Sequence, residues 1–167
     1  MPPRRLIYWD ACVFIAWLKD EIRPPGEMDG VVECVDQVES GSVRLVTSVL
    51  TRTEVFETNL PQDVKARYSA LLGRRNVQTV DNDLRVSDLA RQIREFYGAQ
   101  SKRDGLPGLT PADAIHLATA IHYKADAFYT FDDGKKGGRS LLSLDGNVAG
   151  HPLKITKPPV TQYRMKF

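Results

Sequence analysis

The chain is poor in the residues on which zinc, disulfide and phosphate-loop proteins depend. It has only two cysteines in 167 residues, Cys12 and Cys34. Both lie in helical, largely apolar stretches, so they read as reduced core residues of a cytoplasmic protein rather than as a disulfide. The three histidines, His116, His122 and His151, stand in no Cys/His spacing that would hold zinc. There is no Walker-type loop and no GxGxxG fingerprint. Ser48 and Cys12 have no identifiable histidine base, which leaves nucleophilic catalysis without support. No apolar run approaches the length of a bilayer span. The opening MPPRRLIYWD has basic residues but no long apolar stretch before a small-residue cleavage site, so no secretory leader and no membrane association are expected. Internal repeats and low-complexity segments are missing too. The remainder, 42% hydrophobic and 26% charged with a net charge of +2, is the composition of a soluble globular domain large enough to bury a core.

Hydrophobic patterning predicts strands over 5–9, 43–47, 77–80 and 127–130, with a short fifth over 153–156. Helices are predicted over 12–20, 31–39, 48–58 (capped by Ser48), 61–73, 83–97 and 110–124. Leu84, Leu89, Ile93 and Phe96 are expected on the inner side of the fifth helix. The segments EIRPPGEMDG (21–30) and GAQSKRDGLPGL (98–109) read as loops. Strands alternating with helices imply an α/β fold with a central parallel sheet flanked by helices on both faces. One domain is expected over 1–145, followed by a C-terminal extension over 146–167 that holds a short edge strand and a tail.

Four acidic residues stand in four separate apolar frames: Asp10 in LIYWDACVFIAWL, Glu54 in TSVLTRTEVFE, Asp113 in LTPADAIHLATAI and Asp132 in DAFYTFDDG. Each has an ordinary structural reading. Asp10 and Asp132 fit helix caps at strand ends, Asp113 fits a capping pair with Thr110 ahead of Pro111, and Glu54 fits a helix surface. Together they suggest chemistry. Three fall at strand ends or helix starts, where α/β folds place their sites. Asp113 opens a helix whose following turns are nearly all apolar, so its carboxylate needs a partner. Carboxylates gathered without balancing bases resist ionisation, and the usual reason to tolerate that is a hard divalent cation such as Mg²⁺ or Mn²⁺. Glu57 and Asp133 are nearby acids that could assist. His116, three residues after Asp113, either touches substrate, bonds a carboxylate, or serves as a satisfied residue near the core. Arg74, Arg75, Arg85, Arg91, Arg94, Lys102, Arg103, Lys135, Lys136 and Arg139 are either phosphate contacts or a solvated surface.

The four frames, in this order, resemble the PIN-domain nucleases, and in particular the VapC-type toxins of toxin–antitoxin pairs. That pattern is an Asp after the first strand, a Glu in a helix after the second, a D-A-x-x-x-A-x-A helix, and T-x-D at the end of the fourth strand. Here these are Asp10, Glu54, the helix from Asp113 to Ala120, and Thr130-Phe131-Asp132, within about residues 5–133. The resemblance implies metal-dependent endonuclease activity on RNA, with Asp10, Glu54, Asp113 and Asp132 as catalytic metal ligands and Asp133 as a further candidate. It also implies a homodimer and an antitoxin partner, for which Phe14, Trp17, Val31, Val35 and Phe56 would supply exposed apolar surface if they are not core. Single-stranded RNA is the expected substrate, since a cleft engages a splayed strand more easily than a stacked duplex. Ala11 and Cys12 depart from the pattern, because many members carry Thr, Ser or Asn just after the first Asp.

Two rivals come from other classes. A non-catalytic RNA-binding or assembly module on the same fold would be marked by loss of one of the acids, and all four are present. An Asp-x-Asp phosphatase needs a second Asp two residues after the first, and position 12 is Cys.

Overall fold

The computed structural model describes residues 2–56 and 59–161. The elements in chain order are β1 (Leu6–Trp9), α1 (Ala11–Lys19), α2 (Glu27–Glu39), β2 (Arg44–Ser48), α3 (Leu50–Phe56), α4 (Gln62–Leu72), β3 (Val77–Val80), α5 (Leu84–Asp104), α6 (Pro111–His122), β4 (Ala127–Tyr129), a 3₁₀ turn at Leu142–Leu144 and β5 (Ile155–Thr156). The strands form one sheet in the order β3-β2-β1-β4-β5, parallel at every pairing. This is the parallel α/β sheet that the alternating pattern predicts.

Side chains alternate across each strand, and the alternation sorts the core into two layers. Ile7, Trp9, Leu45, Val77, Ala127 and Tyr129 face one way, onto Val13, Phe14, Val31, Val38 and Tyr68 of α1, α2 and α4. Tyr8, Val46, Val80 and Phe128 face the other way, onto Val86, Ile93, Ala114, Leu117 and Ala118 of α5 and α6. The chain builds outward from β1 to β3, then returns to add β4 on the other side of β1. The strand order therefore reverses between β1 and β4, and the carboxyl ends of those two strands border the crevice where α/β sheets bind ligands.

Several expectations change in three dimensions. On α5 the buried residues are Val86, Ala90, Ile93 and Tyr97. Leu84 and Phe96, expected inside, are 76% and 50% exposed. The inner stripe is set by what packs on it, and at Tyr97 that is the later segment holding Arg139, Asn147 and Ala149. The helix also runs past Gly98 to Asp104 and stops at Gly105, whose φ of 70° and N–H bond to the Ser101 carbonyl form a left-handed cap. Residues 98–104, including Lys102 and Arg103, are thus helix rather than loop. In the same way α2 begins at Glu27 and includes Gly30. Gly30 is a packing glycine: a Cβ there would run into the Pro158 carbonyl oxygen. The C-terminal segment crosses α2 at that point, held by Lys157 on Glu27 and by the Thr161 N–H on Glu33.

Phe14, Val31 and Val35 are core residues, so they do not supply a partner surface. Trp17 is partly covered by the Arg67 guanidinium, 4.9 Å from its ring, and Phe56 packs edge-on against Tyr68. Arg139, placed with the phosphate contacts on sequence grounds, is buried. It donates to the Pro107 carbonyl and to Gln100 and lies over the Tyr97 ring. Among the described residues no helix is long and apolar enough to cross a membrane.

Candidate active site

Asp10 follows the last residue of β1 and caps α1. Its neighbour across the ladder is Thr130, because Trp9 pairs with Tyr129 one step earlier. Both carboxylate oxygens are held. The Thr130 hydroxyl donates to Oδ2 at 2.6 Å, while the Cys12 backbone N–H and thiol donate to Oδ1 at 3.1 and 2.7 Å. Asp10 is only 6% exposed. Burial raises its pKa, opposed by His116 and by the bonds from Cys12 and Thr130.

Cys12 is therefore not a second core cysteine. It stands at the cleft, where its sulfur accepts from the Phe131 N–H at 3.2 Å and its S–H reaches Asp10. Burial, with Asp10 beside it, pushes the thiol pKa well up and keeps the proton on sulfur. The Cys12 S–H and the Thr130 hydroxyl are the side-chain donors to Asp10, and sequence reading did not pair Thr130 with it. Cys34 does lie in the core, and burial raises its thiol pKa to about 12.

Asp132 leaves the end of β4 in a tight turn. Its own N–H donates to the Thr130 hydroxyl, and its Oδ1 accepts from Gly134 N–H at 2.9 Å. Burial raises its pKa, partly offset by the Gly134 bond, and the charges of Asp113 and Asp133 push the same way as burial. Asp133 stands at the cleft but is tied locally. It is exposed, takes the Lys135 N–H on Oδ1 and pairs with the Lys135 ammonium at 3.2 Å. Those Lys135 contacts lower its pKa.

Asp113 sits in the first turn of α6. Thr110 caps that helix by accepting from the Asp113 N–H at 3.1 Å, and Pro111 opens it, as the T-P-A-D run predicts. Glu54 reaches in from α3 and bonds His116 Nε2 at 2.7 Å. Glu57 lies outside the described residues.

These acids share one cleft of about 500 Å³, lined by Asp10, Cys12, Glu54, Asp113, His116, Asp132 and Asp133 together with Arg23, Lys136 and Phe131. A second groove of similar size, about 520 Å³, runs between α5 and α6, but its lining includes none of the four. Arg23 was not foreseen. Its guanidinium lies 3.8 Å above the Phe131 ring and pairs with Glu21 and Glu27, so it does little to neutralise the cleft. An excess of carboxylates against few free bases suits a cation, and an all-oxygen donor set suits a hard one. Among the described residues, no three Asp, Glu, His or Cys side chains are gathered closely enough to enclose an ion alone. Asp10, Asp113, Asp132 and Glu54 are the residues that could serve.

The family model of the PIN domain matches residues 7–136. The chain belongs to the PIN-domain family. No curated protein matches its sequence significantly. Solved structures share the PIN fold at low identity. VapBC2 from Rickettsia felis, bound to a promoter DNA fragment, superposes at a TM-score of 0.61 with 10% identity, covering 91% of this chain and 98% of that one. A toxin–antitoxin complex from Klebsiella pneumoniae gives 0.58 with 16% identity over 92% and 98%. VapC20 from Mycobacterium tuberculosis, a toxin that cleaves the sarcin–ricin loop, gives 0.54 with 15% identity over 80% and 96%. The first four acids of the cleft all fall within the matched PIN region.

Proposed function

We propose that this PIN domain is a cytoplasmic endoribonuclease that hydrolyses RNA phosphodiester bonds with the help of Mg²⁺ or Mn²⁺, and that it is the toxin of a toxin–antitoxin pair. The observation that carries the reading is the meeting of Asp10, Glu54, Asp113 and Asp132 in one cleft, delivered there by four elements distant in sequence. A structural cap has no need of the other three.

When bound, the cation supplies positive charge toward the phosphate and activates water for attack. The chain does the rest. Asp10 is locked by donors on both oxygens, so its geometry is set before substrate arrives. A carboxylate of the cleft takes the proton of the attacking water. Lys136 on the cleft wall positions the phosphate backbone and gives salt-dependent affinity. An unpaired strand, whose bases can be splayed, engages such a cleft more easily than a stacked duplex does.

Incubation of the protein with single-stranded RNA tests this. Cleavage should disappear with EDTA and return with added Mg²⁺ or Mn²⁺; cleavage indifferent to EDTA would exclude a metal-dependent mechanism. Asp133→Asn should stay within roughly two- to threefold of wild type, the scale of an exposed substitution, because that carboxylate is already paired with Lys135.

An antitoxin partner is supported by the fold neighbours, several of which are toxin–antitoxin complexes. A partner that places an Arg or Lys among the carboxylates would silence the site by competing with the cation. For a homodimer, Phe56 stays exposed as expected, and Ile22, Leu84, Phe96 and Leu106 are exposed as well. Light scattering at micromolar concentration should give twice the monomer mass, and co-expression with the adjacent reading frame should yield an inactive complex. A monomer that the neighbouring product does not bind would leave a stand-alone nuclease.

A further inference from the structure

His116 is almost fully buried, at 2% exposure, yet it belongs to neither hydrophobic layer by chemistry. Both ring nitrogens are engaged. Nε2 meets Glu54 Oε2 at 2.7 Å and Nδ1 meets the Tyr8 hydroxyl at 2.5 Å. Tyr8 is fully buried in the middle strand, stacked on Phe128 with ring centres 5.0 Å apart. Its hydroxyl oxygen also accepts the Ser48 N–H at 3.2 Å. The Glu54 carboxylate can only accept, so a ring proton sits on Nε2, facing it, and Nδ1 is left to take the Tyr8 hydroxyl proton. The chain of bonds runs from a backbone amide of the sheet, through a locked phenol and a buried imidazole, to one acid of the cleft.

Glu54 has more need of such a hold than its neighbours. Asp10 and Asp132 are short side chains tied by bonds close to their own backbone. Glu54 is longer, about 30% exposed at its side chain, and sits on the seven-residue helix α3. Left alone, its carboxylate would spread over several rotamers in water. Resting on the reading of the cleft as a metal-dependent nuclease site, we propose that His116 is the positioning residue for Glu54: its Nε2–H holds the carboxylate in the cleft so that it can bind the cation, and Tyr8 fixes the tautomer that makes this possible. Partners of ligating carboxylates typically contribute about 10- to 100-fold in metal affinity or activity.

Two isosteric substitutions separate this role from a structural one. The Gln amide of His116→Gln reaches the place of Nε2 and can still donate to Glu54. The Asn amide of His116→Asn reaches only the place of Nδ1 and can keep Tyr8 but not Glu54. Mn²⁺ affinity measured by electron paramagnetic resonance, with RNA cleavage as a second readout, should fall about tenfold or more in His116→Asn and stay near wild type in His116→Gln. His116→Asn should add nothing in a Glu54→Ala background, because the residue it acts through is gone. Equal affinities in His116→Asn and wild type, loss confined to His116→Gln, or full additivity with Glu54→Ala would each overturn the role. A structural residue would instead lower the melting temperature of both variants and leave Mn²⁺ affinity unchanged in the folded protein. Wild type that binds no Mn²⁺ would overturn the nuclease reading and this role with it, whereas wild-type binding with an unaffected His116→Asn overturns the role alone.

Discussion

Asp10→Asn should abolish RNA cleavage, by roughly 10²- to 10³-fold or more, the scale of removing one preorganised electrostatic partner of a transition state, while the protein stays folded. The amide matches the carboxylate in shape. It loses the charge that a divalent cation needs, and its nitrogen cannot accept from either Thr130 or Cys12, which now donate to separate oxygens. One of those two donors must turn away. The fold tolerates this because the charge that is lost was buried, and its desolvation opposed folding. Asp113→Asn should have a similar effect on cleavage with less effect on packing, since Asp113 lies at the cleft wall and its helix is capped by Thr110 regardless. Circular dichroism and a melt establish folding, and cleavage of a labelled RNA gives the rate. Wild-type rates in both variants would place the chemistry outside this cleft.

Millimolar Mg²⁺ or Mn²⁺ should raise the melting temperature of the wild-type protein at neutral pH and do so far less for Asp10→Asn. Binding to the folded state at about 100 times the dissociation constant stabilises by about 2.7 kcal/mol, on the order of 5–10 °C for a domain of this size. The metal-free protein should show what burying these carboxylates costs. Asp10 and Asp132 both have pKa values raised by burial. A raised carboxylate pKa means that the folded state holds its proton longer than the unfolded chain does. The stability linked to these groups is therefore fully present below the ordinary carboxylate pKa, near 4, and is lost as pH rises through the folded value. Asp132→Asn tests this in isolation, because the amide oxygen keeps the Gly134 bond. In EDTA its melting temperature should equal that of wild type at low pH and exceed it increasingly as pH rises. A wild type indifferent to both metals would contradict a metal site in this cleft, and an Asp132→Asn protein that loses ground as pH rises would contradict a carboxylate held at a cost by its burial.

Much of the molecule is local chemistry and could be read from the chain. LIYW and AFY are strands because each is a short apolar run rich in aromatic and branched residues between polar breaks, with β1 starting at Leu6 and β4 at Ala127. Thr110 and Pro111 start α6 at the predicted place, because capping and the fixed proline φ act over three residues. Strands alternating with helices are enough to require a parallel sheet. The four acids stand out because each interrupts an apolar frame, which is also a local signal.

The rest depended on which segments meet. Whether Phe96 or Tyr97 faces inward on α5 is decided by the segment that meets it, where Tyr97 finds Arg139, Asn147 and Ala149, and both are plausible from the 3.6-residue period. Gly98 and Gly30 read as breaks, but a helix continues through a glycine when its flanks are packed, and Gly30 is needed where Pro158 crosses. Cys12 read as a core thiol because, apart from Asp10 two residues before it, nothing nearby in sequence announces Thr130 and Phe131 around its sulfur. His116 could be placed on the face of Asp113 from spacing alone. Its bonds to Tyr8, 108 residues away, and to Glu54, 62 residues away, exist only after β1, α3 and α6 have packed. Residue type and spacing therefore determined which elements form and which acids are available. Only the tertiary structure decided that Thr130 holds Asp10 and His116 holds Glu54, because a hydrogen bond acts over about 3 Å and takes no account of distance along the chain.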